Sequence, residues 1–142
     1  MAVRPCRRPA ASIHPIDTWH AIVQHPAHTG LFDLLDDDVV FISPVAHTPQ
    51  RGKVAAMGYL MAAFHVFFNP DFRYVRQIIG PSDAMLEFET TIDGVLVNGV
   101  DLIKWNDAGR VVEFKVMLRP LRAVNLIHEK MAAMLESFSR DG

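Results

Sequence analysis

One cysteine, Cys6, occurs in 142 residues, so no intrachain disulfide is available and nothing points to an oxidising compartment. No apolar stretch approaches the ~18–20 residues of a membrane-spanning helix. Positive charge is scarce as well. The 14 Lys and Arg stand against 16 Asp and Glu, a formal net charge of −2, which removes the electrostatic case for a nucleic-acid partner. There is no Gly-rich phosphate loop, no Gly-x-Ser-x-Gly and no Ser/His/Asp arrangement. His20, His25 and His28 invite a metal reading, but their spacing spans Pro26 and no acid or cysteine completes a ligand set. No metal and no cofactor is expected. Residues 1–15 carry Arg4, Arg7, Arg8 and three prolines without the apolar core of a signal peptide. They read as a flexible basic tail on a soluble, cytoplasmic protein.

What is present is a globular composition, 50% hydrophobic and 21% charged, of a length that suits one domain over residues 16–142. Ile16 to Gln24 reads as a short helix ended by His25-Pro26. Thr29 is placed to cap a second helix, Gly30 to Leu35, which Asp36-Asp37-Asp38 should break. Val39 to Ile42 is a short β-branched strand ended by Ser43-Pro44. After a loop, Lys53 to Phe68 is a helix whose Val54, Met57, Met61, Phe64 and Phe68 form one apolar stripe.

Strands follow at Phe72 to Ile79, Ala84 to Ile92 and Val95 to Trp105, the last two joined by the hairpin turn Asp93-Gly94. Arg110 to Arg119 alternates Val112, Phe114, Val116 and Leu118 against Glu113, Lys115 and Arg119. Pro120 opens a final helix striped by Val124, Ile127, Met131, Met134 and Phe138. The order describes an α+β domain, helices packed on one face of a curved, mostly antiparallel sheet. Such curvature leaves a conical cavity between sheet and helices, the default place for a ligand.

One residue stands out against this pattern. Asp101 lies inside the strand that ends at Trp105, on the face it shares with Ile103 and Trp105. Aspartate is depleted from strands and seldom buried without a partner. Turned inward, its charged form is disfavoured and its pKa rises, which suits a group that holds or donates a proton near neutrality.

Two stretches resemble nuclear-transport-factor-two-like domains: Leu34-Leu-Asp-Asp-Asp-Val-Val-Phe41 with Ser43-Pro44 and Gly52-Lys53, and Gly99 to Phe114. The superfamily includes ketosteroid isomerase, SnoaL-like polyketide cyclases and limonene-epoxide hydrolase, and the resemblance covers about Trp19 to Pro120. It implies a cone-shaped curved sheet wrapped around the N-terminal helices, with an extra C-terminal helix. Laid on ketosteroid isomerase, the chain puts Asp101 at the protonated oxyanion-hole aspartate. Trp19 falls where that enzyme has its tyrosine, and Ser43 where it has its general base. Ser43 cannot act as a base at neutral pH and an indole N–H only donates, so the isomerase's own proton shuttle is not expected. Against the epoxide hydrolase, Val116 stands at a carboxylate position and Gly99 where an arginine should precede Asp101.

The resemblance therefore implies a small apolar molecule in the cavity, with Asp101 as acid or hydrogen-bond donor. Trp19, Tyr59, Phe88, Ile103 and Val116 are the expected wall, Ser43 marks the vacated base position, and His47 the rim. An isomerase, cyclase or hydrolase is one reading. The alternative is a non-catalytic dimeric binding or interaction module. Outward Val100, Leu102 and Met117 make the second sheet face partly apolar, so a homodimer through the sheet is expected under either.

Overall fold

The structure, a computed structural model, describes residues 14–141. Helix α1 (Pro15–Gln24) opens on His14, whose Nδ1 accepts the Ile16 N–H at 3.0 Å and so caps the helix. Residues 1–13 of the expected tail lie outside the described residues, whereas His14 and Pro15 already belong to the helix start. Helix α2 (Leu31–Leu34) is shorter than expected, and its cap is Gly30 rather than Thr29. The chain turns at His28 and Gly30, both at positive φ, which moves the cap one residue on.

Strand β1 (Leu35–Ile42) begins four residues earlier than its β-branched run suggested. The acidic run does not end the helix; it is carried inside the strand. Its charges stay at the surface: Asp36 accepts from the Asn106 amide at 3.0 Å and Asp37 meets Lys53 at 3.5 Å. A two-residue strand, β2 (Gln50–Arg51), pairs with β1 inside the segment expected to be loop.

Helix α3 (Lys53–Phe67) buries Ala56, Leu60, Ala62, Phe64 and Phe67 and leaves Val54 81% exposed. The true stripe is thus rotated from the expected one. The helix is apolar nearly all round, so spacing alone does not say which side meets the sheet. Met57, Met61 and Phe68 are half-buried on its flanks.

Strands β3 (Arg73–Ile79), β4 (Asp83–Ile92), β5 (Val95–Trp105) and β6 (Val111–Arg119) complete a six-stranded sheet in the order β2-β1-β6-β5-β4-β3. Every pairing is antiparallel except β1 with β6. Asp93 and Gly94 turn β4 into β5 with φ of 51° and 78°, the double positive φ of a type I′ hairpin.

Two irregularities redirect side chains. Between β5 and β6, Lys104 pairs with Glu113 but Trp105 with Val111, so Val112 is the extra residue of a bulge. Val111, not Val112, is therefore buried beside Phe114 and Val116. Between β3 and β4, Tyr74 pairs with Phe88 but Arg76 with Glu87, which leaves Val75 as the extra residue.

Helix α4 (Leu121–Asp141) lies on α3 and on the β5–β6 region through Ala123, Ile127 and Met131. Ala123 takes the place expected of Val124, which is only half-buried. The α+β cone is thus present: an unclosed mixed sheet, helices against its inner face, and an apolar core between them. No helix among the described residues is long and apolar enough to cross a membrane.

Candidate functional site

Pairing fixes where Asp101 points. Its neighbours across the sheet are Leu86 on β4 and Val116 on β6, both buried and both on the inner face. Asp101 itself is 6% exposed, one of only three buried polar residues among those described, with Ser43 and Thr90. Such a carboxyl needs a partner.

The partner is Tyr74, a residue the sequence did not single out. Its hydroxyl donates to Asp101 Oδ2 at 2.7 Å and accepts the Trp19 indole N–H at 2.9 Å. Helix α1, edge strand β3 and central strand β5 thus converge on one hydrogen-bonded row. His20, one residue past Trp19, packs edge-on against the Tyr74 ring at 5.3 Å and meets Gln77 Oε1 at 2.9 Å.

Simple alternation hides Tyr74, because it would group Tyr74 with the outward Arg76. The bulge at Val75 lets Tyr74 face inward while Arg76 turns outward to Glu87 at 2.9 Å. The available signal was only that a tyrosine in a strand, flanked by Phe72 and two arginines, needs somewhere to bury its ring.

Burial pushes the Asp101 carboxyl from its usual 3.8 up to about 7, against the opposing pull of the Tyr74 hydrogen bond. Burial, and then the Asp101 charge, also holds the Tyr74 phenol well above its ordinary 10.0. Tyr74 therefore remains a donor while Asp101 changes charge near neutrality.

The acid opens onto a cavity of about 30 Å³. Its walls include Trp19, Leu60, Val116 and seven of the chain's nine phenylalanines: Phe41, Phe64, Phe67, Phe68, Phe72, Phe88 and Phe114. Asp101 is the only titratable side chain among them. Phe72 stacks on Phe88 at 5.3 Å, and Phe88 in turn lies against Gly99. A Cβ on Gly99 would come within 2.6 Å of the Phe88 ring and 2.7 Å of the Met117 carbonyl oxygen, so this strand position is held to glycine by close approach. Phe68 and Phe72 are half-buried and form the outer wall, with the His28 ring against Phe64 at 4.3 Å and Phe68 at 5.7 Å.

Of the expected wall, Trp19, Phe88 and Val116 line this cavity with Asp101. Four other candidates stand elsewhere. Ser43 is buried, but its Oγ accepts from the Val45 and Ala46 N–H groups at 3.1 and 3.2 Å, which commits it to the turn that ends β1. His47 lies beyond that turn in a separate groove with Val124, Asn125 and His128. Tyr59 packs on Phe41 at 5.9 Å from the β1 side of α3 instead of reaching toward the acid. Ile103 shares the inner face but sits two residues nearer the strand end, as core. The three histidines expected not to form a metal site each take a separate partner: His20 with Gln77, His25 with the Ala27 N–H and His28 with the Ile22 carbonyl.

Comparison with known proteins bears on the family and the fold. No family model and no curated protein matches the sequence. Solved structures do. A steroid delta-isomerase from Pseudomonas aeruginosa is 33% identical, with a TM-score of 0.83 over 89% of this chain and 92% of its own. An uncharacterised protein with a cystatin-like fold from Silicibacter pomeroyi is 30% identical, with a TM-score of 0.78 over 89% and 88%. A nuclear-transport-factor-two-like protein of unknown function from Mesorhizobium loti, 20% identical at a TM-score of 0.64 over 75% and 88%, shares the fold.

Proposed function

The chain belongs to the nuclear-transport-factor-two-like superfamily, on its ketosteroid isomerase-like and SnoaL-like side, and from that premise we propose that it encloses a small apolar molecule and engages its oxygen through Asp101. The observation that carries the reading is one titratable acid, tuned to about 7, at the wall of a cavity otherwise built from aromatic and aliphatic side chains. In its neutral form Asp101 donates a hydrogen bond to a carbonyl or hydroxyl oxygen and polarises it. That is the first requirement of isomerase, cyclase or hydrolase chemistry at such a centre. Trp19, Phe88 and Val116 supply the apolar contacts. The isomerase found in the comparison supports this type of activity without fixing the reaction.

A second reading, a non-catalytic dimeric module, is favoured by two observations. The cavity has room for only a water or two as it stands, and its walls hold no second acid or base. Either way a homodimer through the outer sheet face is part of the reading. Met117, Leu96 and Ile78 are more than half exposed there, and Val100 and Leu102 lie half-buried between them. A cytoplasmic setting is part of it too, supported by the single cysteine.

The test is calorimetric titration of small ketones and alcohols against the full chain at pH 6 and pH 8. A carboxyl with a midpoint near 7 is mostly neutral at the lower pH and mostly charged at the higher, so affinity should drop about tenfold between them. Asp101→Asn should remove that pH dependence. If no compound binds at either pH, or if Asp101→Asn changes neither affinity nor turnover, Asp101 has no such role.

A further inference from the structure

Tyr74 Oη has two hydrogen-bond partners, Trp19 Nε1 at 2.9 Å and Asp101 Oδ2 at 2.7 Å. The two are not equivalent. An indole N–H can only donate, so the bond to Trp19 has one direction. The Tyr74 hydroxyl proton is then left with one acceptor, Asp101. Turning it elsewhere would leave a buried O–H without a partner, which costs more than the bond it abandons. The row therefore runs one way, from Trp19 to Tyr74 to Asp101.

This direction has a consequence for the acid. Oδ2 always receives the Tyr74 proton, whatever the charge of Asp101. The proton of the neutral carboxyl is thereby kept to Oδ1. Oδ1 has no protein partner among the described residues, yet no buried side-chain oxygen there is an orphan, so it keeps open surface on the cavity it lines.

We infer that Trp19 and Tyr74 are positioning residues: they form a one-way donor row that confines the Asp101 proton to the oxygen facing the cavity. The neutral acid is then presented to a ligand as a donor in one fixed orientation. The pocket prefers an uncharged group that accepts a hydrogen bond over a protonated amine, which can only donate one. This rests on the reading of the cavity as a ligand site. One other titratable group lies against the row. His20 touches the Tyr74 ring edge from α1, and the cavity walls on α3, β4 and β6 carry no charge.

The experiment is a carbon-13 NMR titration of the Asp101 carboxyl in the full chain without ligand, assigned with Asp101→Asn. Tyr74→Phe removes one oxygen from a ring already packed among Phe72 and Phe88. If Tyr74 donates, its loss removes support from the carboxylate, and the midpoint rises by about one pH unit or more. If Tyr74 instead accepts from the acid, its loss removes support from the neutral form and the midpoint falls. A tyrosine that only fills space leaves the midpoint where it is. A fall or no change overturns the inference.

Trp19→Phe, which keeps a ring and deletes the upstream donor, should move the midpoint the same way by less. It carries the test if Tyr74→Phe does not fold. Tyr59→Phe is the same chemical change outside the row and should shift nothing. No ligand enters this titration, so a fruitless search for binders would count against the proposed function and leave the row standing.

Discussion

The pH dependence of stability should run opposite to that of most acidic side chains. A carboxylate with a salt-bridge partner has a lowered pKa and stabilises the fold above its midpoint. Asp101 is raised, from 3.8 in an unfolded chain to about 7 in the fold. The folded protein therefore holds this proton more tightly than the unfolded chain does. Its stabilising effect is full below about pH 4 and is lost as pH rises to about 7, because unfolding then releases the proton. About three pH units correspond to about 4 kcal/mol, a large share of the 5–15 kcal/mol by which domains are stable.

The assay is urea unfolding at intervals from pH 4.5 to 8 for the wild type and for Asp101→Asn. With a urea slope of about 2 kcal/mol per molar, the wild-type midpoint should lose roughly 1.5–2 M relative to the variant across that range. Every other titratable group is common to both proteins and cancels in the difference. The asparagine amide will shift the variant's stability by an amount that does not depend on pH. Parallel profiles would refute the reasoning, since they would mean that Asp101 titrates alike in the folded and unfolded chain.

Gly99→Ala should destabilise the fold by roughly 1–3 kcal/mol in the same unfolding assay, because the Met117 carbonyl oxygen, 2.7 Å from the added carbon, belongs to the backbone and cannot rotate away. Phe64→Ala removes a ring that touches Trp19, His28 and Phe68, and should cost about 3–5 kcal/mol by thermal unfolding while enlarging the cavity. Leu102→Lys, at the middle of the outer sheet face, should halve the mass seen by light scattering at micromolar concentration. A wild type already monomeric there would remove the dimer from the proposal.

Legibility in the sequence followed the strength of the local signal. The Asp93-Gly94 hairpin and strands β4, β5 and β6 were readable because turn chemistry and two-residue alternation agreed. Where the local signal was one-sided, the tertiary structure decided. Helix α3 is apolar on most of its circumference, so its burial is set by what packs on it, and Val54 ends in solvent. The acids of β1 are poor strand formers, but an outer strand in water tolerates them when the parallel pairing with β6 holds its ends at Leu35 and from Val40 onward. The bulges at Val75 and Val112 each reverse the face of everything beyond them, and nothing in residue type announces either one.

The same logic explains which part of the site could be read. Asp101 was visible because a lone acid among Val97, Ile103 and Trp105 violates the pattern of its own strand. Tyr74 was invisible because it violates nothing: a tyrosine in an edge strand is ordinary, and only the bulge after it aims the hydroxyl at Asp101. Ser43, His47 and Tyr59 entered by position along the chain, and position does not fix what a side chain is already bonded to. Ser43 shows the difference most clearly, since its hydroxyl is committed to two backbone N–H groups. On the proposed reading, the cavity presents a single acid oriented by a donor row, while Ser43 is spent on a turn outside that cavity. Under that reading, any proton taken from carbon would have to go to Asp101 itself, since no other titratable side chain lines the cavity, and without such a step a ligand would be bound but not turned over.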